Sequence, residues 1–251
     1  MKISPRCYAI TGLACTPPWC VNAGFVVGGD TTLVVGSGGT AYAGATIVGY
    51  GTAARPSNRL RVINTEKHFD HISGNSVFRD AGAEIWGHAA IARTEAEFAG
   101  EPRGLNLAIQ CPVRKAAGEE RAFFHGTQVV NPDHAIHADT QFDLGGGIVA
   151  RVLLTPGHTA TNVSVWVPSD RVLFTGDCLI AEYLPNLDAG TVDDWRTWLK
   201  SLERIEALGA EQAVAGHGPV ARNAAEVRRM IDRVRAVLVE SIERGKSPTA
   251  G

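Results

Sequence analysis

No apolar run in this 251-residue chain approaches the roughly 18 residues that a membrane-spanning helix needs, so no membrane role is expected. Export has one segment to consider, Met1 to Cys15, where Lys2 and Arg6 precede Tyr8-Ala9-Ile10. That run is too short and too interrupted for the apolar core of a signal peptide. Cysteine is sparse and unpaired in pattern: Cys7, Cys15, Cys20, Cys111 and Cys178 are odd in number and contain no CxxC. A disulfide framework is therefore not expected, and a reducing cytoplasm fits the composition. Basic excess is absent too. The net charge is -2 with acids and bases interspersed, which leaves no footprint for nucleic acid. Nor does a Pro/Ser-rich linker, low-complexity tract or charge block divide the chain, so residues 1–251 read as a single domain able to bury a sizeable core. The glycine-rich stretch Gly36-Ser37-Gly38-Gly39 lacks the Lys-Ser/Thr of a phosphate-binding loop and reads as a turn.

What the chain does have is a crowd of metal-binding side chains. Glu66, His68, Asp70 and His71 fall within six positions of Thr65-Glu66-Lys67-His68-Phe69-Asp70-His71, directly after the apolar run Leu60 to Asn64. Such crowding of carboxylate and imidazole has little use in packing. Three further donors follow in their own strand-to-loop settings: Gly157-His158, Thr175-Gly176-Asp177 and Ala215-Gly216-His217-Gly218-Pro219. Mixed imidazole and carboxylate donors suit zinc and leave room for a water. The carboxylates also accommodate iron(II) or manganese(II).

These four motifs, in this order, resemble the metallo-β-lactamase superfamily of metal-dependent hydrolases from about Asn22 to Val220. The family's His-x-His-x-Asp-His stands here as Glu66-x-His68-x-Asp70-His71. Its Gly-His-Thr, Gly-Asp and Gly-His-Gly-Pro elements match Gly157-His158-Thr159, Gly176-Asp177 and Gly216-His217-Gly218-Pro219. The resemblance implies an α/β fold, a four-layer αββα sandwich, with the ligands along one edge. It also implies two divalent metal ions: one held by Glu66, His68 and His158, the other by Asp70, His71 and His217, with Asp177 bridging.

The implied activity is hydrolysis of an ester, thioester, lactone or amide bond, β-lactams included, of a small molecule by a hydroxide held between the metals. Asp70 has the added role of orienting that water. A bridging aspartate at Asp177 looks more like the glyoxalase II and lactonase branches than the dedicated β-lactamases. Two other readings stay open: an iron-dependent oxygenase of the same superfamily, and a non-catalytic member in which Glu66 marks a decayed site. Two departures from the family pattern stand out. Many members carry an aspartate after the strand where Gly36 or Ser37 stands here, and Glu66 replaces a histidine. With Glu66, Asp70, Asp177 and a hydroxide, four negative charges would cancel two divalent ions. A site of that kind is expected to attract anionic substrates less than the usual member does.

Periodicity places the remaining elements. Strands are expected over Gly24–Val27, Thr32–Val35, Leu60–Asn64, Ala83–Trp86, Ile148–Leu154, Val163–Val167, Val172–Phe174 and Gln212–Ala215, and a short helix over Ser73–Asp80. Thr191 with Asp194 opens a helix with Trp195, Trp198, Leu199, Leu202 and Ile205 on one face, stopped by Gly209. Asn223 and Glu226 open a second, lined by Val227, Ile231, Val234, Leu238 and Ile242, with Gly245 at its end. Phe98–Phe124 reads as a long loop able to fold over the metals, and Ala181–Asp188, with Tyr183 and Leu184, as a pocket wall. His88, His125, His134 and His137 lack a motif and are assigned no ligand role, and Cys178 reads as a buried neighbour of Asp177.

Overall fold

The chain is described from a computed structural model covering residues 1–13, 20–108, 114–187 and 190–248. Short β-branched segments pair into two sheets. The first holds β1 (Cys7–Ile10), β2 (Ala23–Val27), β3 (Thr31–Val35), β4 (Arg59–Ile63), β5 (Glu84–His88) and β6 (His134–Ile136) in sequential order. It is antiparallel from β1 to β3 and parallel from β3 to β6. In the second sheet the order is β11 (Gln212–His217), β10 (Val172–Ile180), β9 (Val163–Val167), β8 (Val149–Leu154) and β7 (Thr140–Asp143), with only β10 and β11 parallel.

Alternation along each strand builds the layers. Leu33, Val35 and Ile63 point inward to meet Val152, Val163, Val165, Phe174 and Val214 of the opposite sheet. Their neighbours Val34 and Val62 face outward onto Ile47 of α1 (Ala41–Ala54) and Phe78 of α3 (Asn75–Asp80). Across the molecule, Leu173, Ala213 and Ala215 pack under α6 (Val192–Glu206) and α7 (Ala224–Arg244). Three apolar layers thus separate helix, sheet, sheet and helix, the αββα sandwich. Among the described residues no helix is long and apolar enough to cross a membrane.

The two closing helices start and stop where their end residues dictate. Thr191 Oγ1 accepts from the Asp194 amide at 3.3 Å while Asp194 Oδ2 accepts from the Thr191 amide at 2.8 Å. Asn223 caps α7 through the Glu226 amide, and Gly245 ends it in the left-handed region at φ 64°.

The run Tyr8-Ala9-Ile10, with no element expected of it, forms β1 together with Cys7 and pairs with β2. Three expectations are revised. Helix begins inside the first motif, with His68 as the cap of α2 (Phe69–Ile72), and resumes as α3. Strand β10 runs on past Phe174 to Ile180, so Asp177 sits within a strand whose pairing shifts register around Gly176. Of Phe98–Phe124, expected as a loop, residues 98–108 belong to α4 (Glu95–Ala108) and 117–123 to α5 (Ala117–Phe123), while 109–113 lie outside the described residues. Phe98, Phe123 and Phe124 fold it against Phe69 and Ile72 of α2. Aromatic anchors that cannot be left in water explain why it is structured. Cys15, Cys111 and Asp188 lie outside the described residues; Cys7, Cys20 and Cys178 are free thiols.

Candidate metal centre

Each metal-type residue of the motifs is delivered by a strand end or the loop after it. Strand β4 leads into Glu66 and His68, α2 carries Asp70 and His71, the loop after β8 brings His158, β10 brings Asp177, and β11 ends on His217. All seven meet at one end of the sandwich. Their donor atoms form compact trios, Glu66–His68–His158 and Asp70–His71–His217, with a third, Glu66–His71–Asp177, between them.

The distances within the trios carry chemical meaning. Two donors about 2.1 Å from one tetrahedral ion stand roughly 3.4 Å apart. In the first trio His68 Nδ1 lies 3.1 Å from Glu66 Oε2 and 3.2 Å from His158 Nε2, and His158 Nε2 lies 3.6 Å from Glu66 Oε1. In the second, Asp70 Oδ2 is 3.1 Å from His217 Nε2 and 3.6 Å from His71 Nε2. Asp177 spans the two. Its Oδ1 is 3.3 Å from His71 Nε2, and its Oδ2 is 3.4 Å from His217 Nε2 and 3.5 Å from His158 Nε2. Glu66 spans them as well, because Oε1 also reaches to 3.4 Å from His71 Nε2.

Buried polar atoms are normally hydrogen-bonded, and these are not. Both Glu66 carboxylate oxygens, His71 Nε2 and Asp177 Oδ1 have no hydrogen-bond partner despite full burial. Their neighbours approach at ionic range without hydrogen-bond geometry. A cluster of inward-turned, unsatisfied carboxylates and imidazoles is costly unless cations compensate it. Positive charge in the pocket is therefore favoured strongly. Burial alone would push the Asp70 carboxyl up, but the imidazoles of His71 and His217 outweigh it and hold the group at about 2. Burial would likewise neutralise His71; the carboxylates of Asp70, Asp177 and Glu66 instead lift it to about 9. Against their burial, Glu66 is held below the usual carboxylate range by the imidazoles of His68, His158 and His71, and Asp177 by those of His217 and His71.

The outer nitrogens are tied to the scaffold. His217 Nδ1 lies 2.6 Å from the Cys20 carbonyl and His71 Nδ1 lies 2.9 Å from Thr65 Oγ1. With the proton on Nδ1 in each ring, Nε2 is left bare and aimed inward. Around His71, Ser37 donates to its carbonyl from both the backbone amide at 3.0 Å and Oγ at 3.1 Å. Ser37 thus supports the ligand loop through two bonds to one carbonyl. The loop of His158 rests on α6. Ser201 Oγ donates to the Pro156 carbonyl, and a β-carbon on Gly157 would stand 2.3 Å from that of Trp198.

Sequence reasoning missed these supports, namely Thr65, the Cys20 carbonyl and a buried pair, Asn64 and Asn75. None is a ligand type, and only Thr65 lies inside the first motif. His88, His125, His134 and His137 join none of the trios, and His134 instead stacks on Trp86 at 4.5 Å. Cys178 is buried under α6, its thiol pushed up to about 12 by that burial.

A family model described as the metallo-beta-lactamase superfamily matches residues 16–217. The chain belongs to the metallo-β-lactamase superfamily. A hydroxyacylglutathione hydrolase from Methylococcus capsulatus is 30% identical over 213 residues, covering 83% of this chain and 68% of that protein. A beta-lactamase-like protein 2 homolog from Caenorhabditis elegans is 36% identical over 87 residues, 34% of this chain and 27% of the relative. The chain therefore spans between about a quarter and two thirds of the length of these relatives. Among solved structures, a metallo-beta-lactamase family protein from Thermus thermophilus superposes with a TM-score of 0.70 at 24% identity, covering 97% of this chain and 82% of that one. That likeness is one of fold.

Proposed function

We propose that this superfamily member is a hydrolase of thioesters, and of related esters and lactones, that holds two divalent metal ions in the seven-residue pocket. The observation that carries the reading is the pair of donor trios whose spacings fit one ion each, with Asp177 reaching both. Glu66, His68 and His158 would hold one ion and Asp70, His71 and His217 the other. Similarity to hydroxyacylglutathione hydrolase puts thioesters first among the candidate substrates. Divalent ions held by these residues would lower the pKa of water to about 7 and polarise a carbonyl.

The chain's own groups do the rest. Asp70, ionised throughout the neutral range, offers its carboxylate as acceptor to a water in the pocket and so orients it. The Thr65 and Cys20 contacts keep His71 and His217 from rotating. Tyr183, half-buried on the loop after β10 with Cys20 and His217 among its electrostatic neighbours, is the residue we assign to the substrate pocket wall.

One observation favours a second reading. Glu66 gives the pocket a third carboxylate and reaches both trios, a donor set that suits iron(II) or manganese(II) better than an all-histidine position would. The deciding experiment is metal content by inductively coupled plasma mass spectrometry, paired with hydrolysis of S-acylglutathione thioesters. Two zinc ions per chain with turnover supports the hydrolase. Stoichiometric iron with oxygen consumption would replace it by an oxygenase, and protein that takes up no metal sinks both.

A further inference from the structure

Apart from the metal pocket, the molecule has a second concavity. It measures about 640 Å³ and lies between the end of α3, helices α4 and α5, and the stretch of chain that follows α5. That volume is in the range of sites that hold small organic ligands. Its wall is apolar on one side, with Phe98, Pro102, Phe124 and Val129. Pro102 lies inside α4 and has no amide hydrogen to give to the turn before it. Charged groups of both signs complete the lining, Arg79, Arg103 and Arg121 with Glu95 and Glu120; Asn106 donates to Glu120 at 2.6 Å, and no ion pair joins the exposed Arg103 or Arg121 to an acid among the described residues.

The floor of this cavity is the cluster that anchors α4 and α5 to the motif helix. Phe98 and Phe124 pack with Phe69 and Ile72, and the Phe69 and Phe124 rings meet edge to face at 5.8 Å. Phe69 is the residue between His68 and Asp70. The cavity thus stands behind the metal-donor helix, on walls that belong to none of the seven donors.

We propose that this cavity binds an amphipathic carboxylate: an acyl chain against Phe98, Pro102 and Phe124, with its head group at the Arg103 and Arg121 guanidiniums. Three guanidiniums against two carboxylates leave the rim positive, and an apolar wall beside it favours an anionic amphiphile over a cationic one. The inference does not rest on the proposed hydrolysis.

The test is isothermal titration of the metal-loaded chain with dodecanoate below its micelle concentration, with dodecyltrimethylammonium as the cationic control. Dodecanoate should bind and the cation should not. The double substitution Arg103→Glu and Arg121→Glu, at exposed positions that leave the donor set intact, should weaken dodecanoate by about tenfold or more. A separate variant, Ala99→Trp, fills the cavity from α4 and should also weaken binding. Hydrogen–deuterium exchange should show protection over α4 and α5 on adding dodecanoate. Binding that survives both variants places the carboxylate on the metals instead, and overturns the proposal. So does equal binding of the cation, or no binding of dodecanoate to folded protein.

Discussion

Asn64 and Asn75 exchange two side-chain hydrogen bonds, each amide nitrogen donating to the other's oxygen at 2.8 Å, in a fully buried pair behind the first motif. Asn75 also donates to the Val130 carbonyl at 2.8 Å, and Asn64 reaches toward the His71 carbonyl. One pair therefore ties β4, the motif helix and the chain leading to β6 together. Asn75→Ala strands the Asn64 amide and the Val130 carbonyl, and is expected to destabilise the fold by about 1–3 kcal/mol. Because the pair also fixes the loop of His71, metal affinity should fall by about 10–100-fold. Competition against a chromophoric chelator reads the second effect. A lower melting temperature with unchanged affinity would limit the pair to packing.

Gly216 passes so close to the metal pocket that a β-carbon on it would stand 1.8 Å from Asp177 Oδ1. Gly216→Ala must therefore displace the carboxylate that reaches both trios. The expected outcome is fewer than two metal ions per chain and a hydrolytic rate lower by roughly 100-fold, as a 1 Å misplacement can cause. Far-UV circular dichroism should be retained. Full metal content in a folded Gly216→Ala protein would contradict Asp177 as the shared ligand.

Glu66 brings a negative charge to a position the family usually gives to a neutral imidazole. Glu66→His should raise kcat/KM for anionic substrates relative to neutral ones of the same leaving group. Parallel assays on a matched pair of thioesters, one carrying a carboxylate and one its amide, measure the ratio. An unchanged ratio rejects the charge argument.

Far from the site, the buried carboxylate of Asp170 accepts from Ser4 Oγ and the Arg6 amide, and pairs with Arg6 at 3.3 Å. These partners overcome its burial and hold it below the ordinary carboxylate value. A depressed folded-state value means that the stabilisation is complete above the unfolded pKa of about 4 and is lost as pH falls through the lower folded value. Asp170→Asn should accordingly lower the melting temperature at pH 7, and the gap to the wild type should narrow below pH 4. A gap that stays constant from pH 7 to pH 3 would show that its charge contributes nothing.

Much of the site could be read along the chain because its donors sit in short local motifs. Gly157-His158, Gly176-Asp177 and Gly216-His217 each pair a donor with a glycine, and the structure shows why: Trp198, Thr65 and Asp177 leave no space for a side chain there. The helices α6 and α7 were equally legible, since caps and stop glycines act within one turn. Helix α1 was not. Its sequence Ala41-Tyr42-Ala43-Gly44-Ala45 and onward carries no charge and no stripe, and it is held by close contact of Gly44 with Gly74 rather than by an amphipathic pattern. The 98–124 segment misled for the opposite reason, because its Gly, Pro and mixed charge hid the aromatic anchors that order it.

By itself the sequence determined which residue types gather at the strand ends and which family of folds could gather them, because strand alternation and glycine-donor pairs are properties of neighbours. Tertiary structure alone decided that Glu66, like Asp177, reaches both trios. The approach of two sheet edges sets Asp177 between the trios and turns Glu66 Oε1 to 3.4 Å from His71 as well as toward His158. It also decided that α4 and α5 close behind Phe69. Both outcomes depend on contacts between residues far apart in the chain, fixed by how side chains fill space.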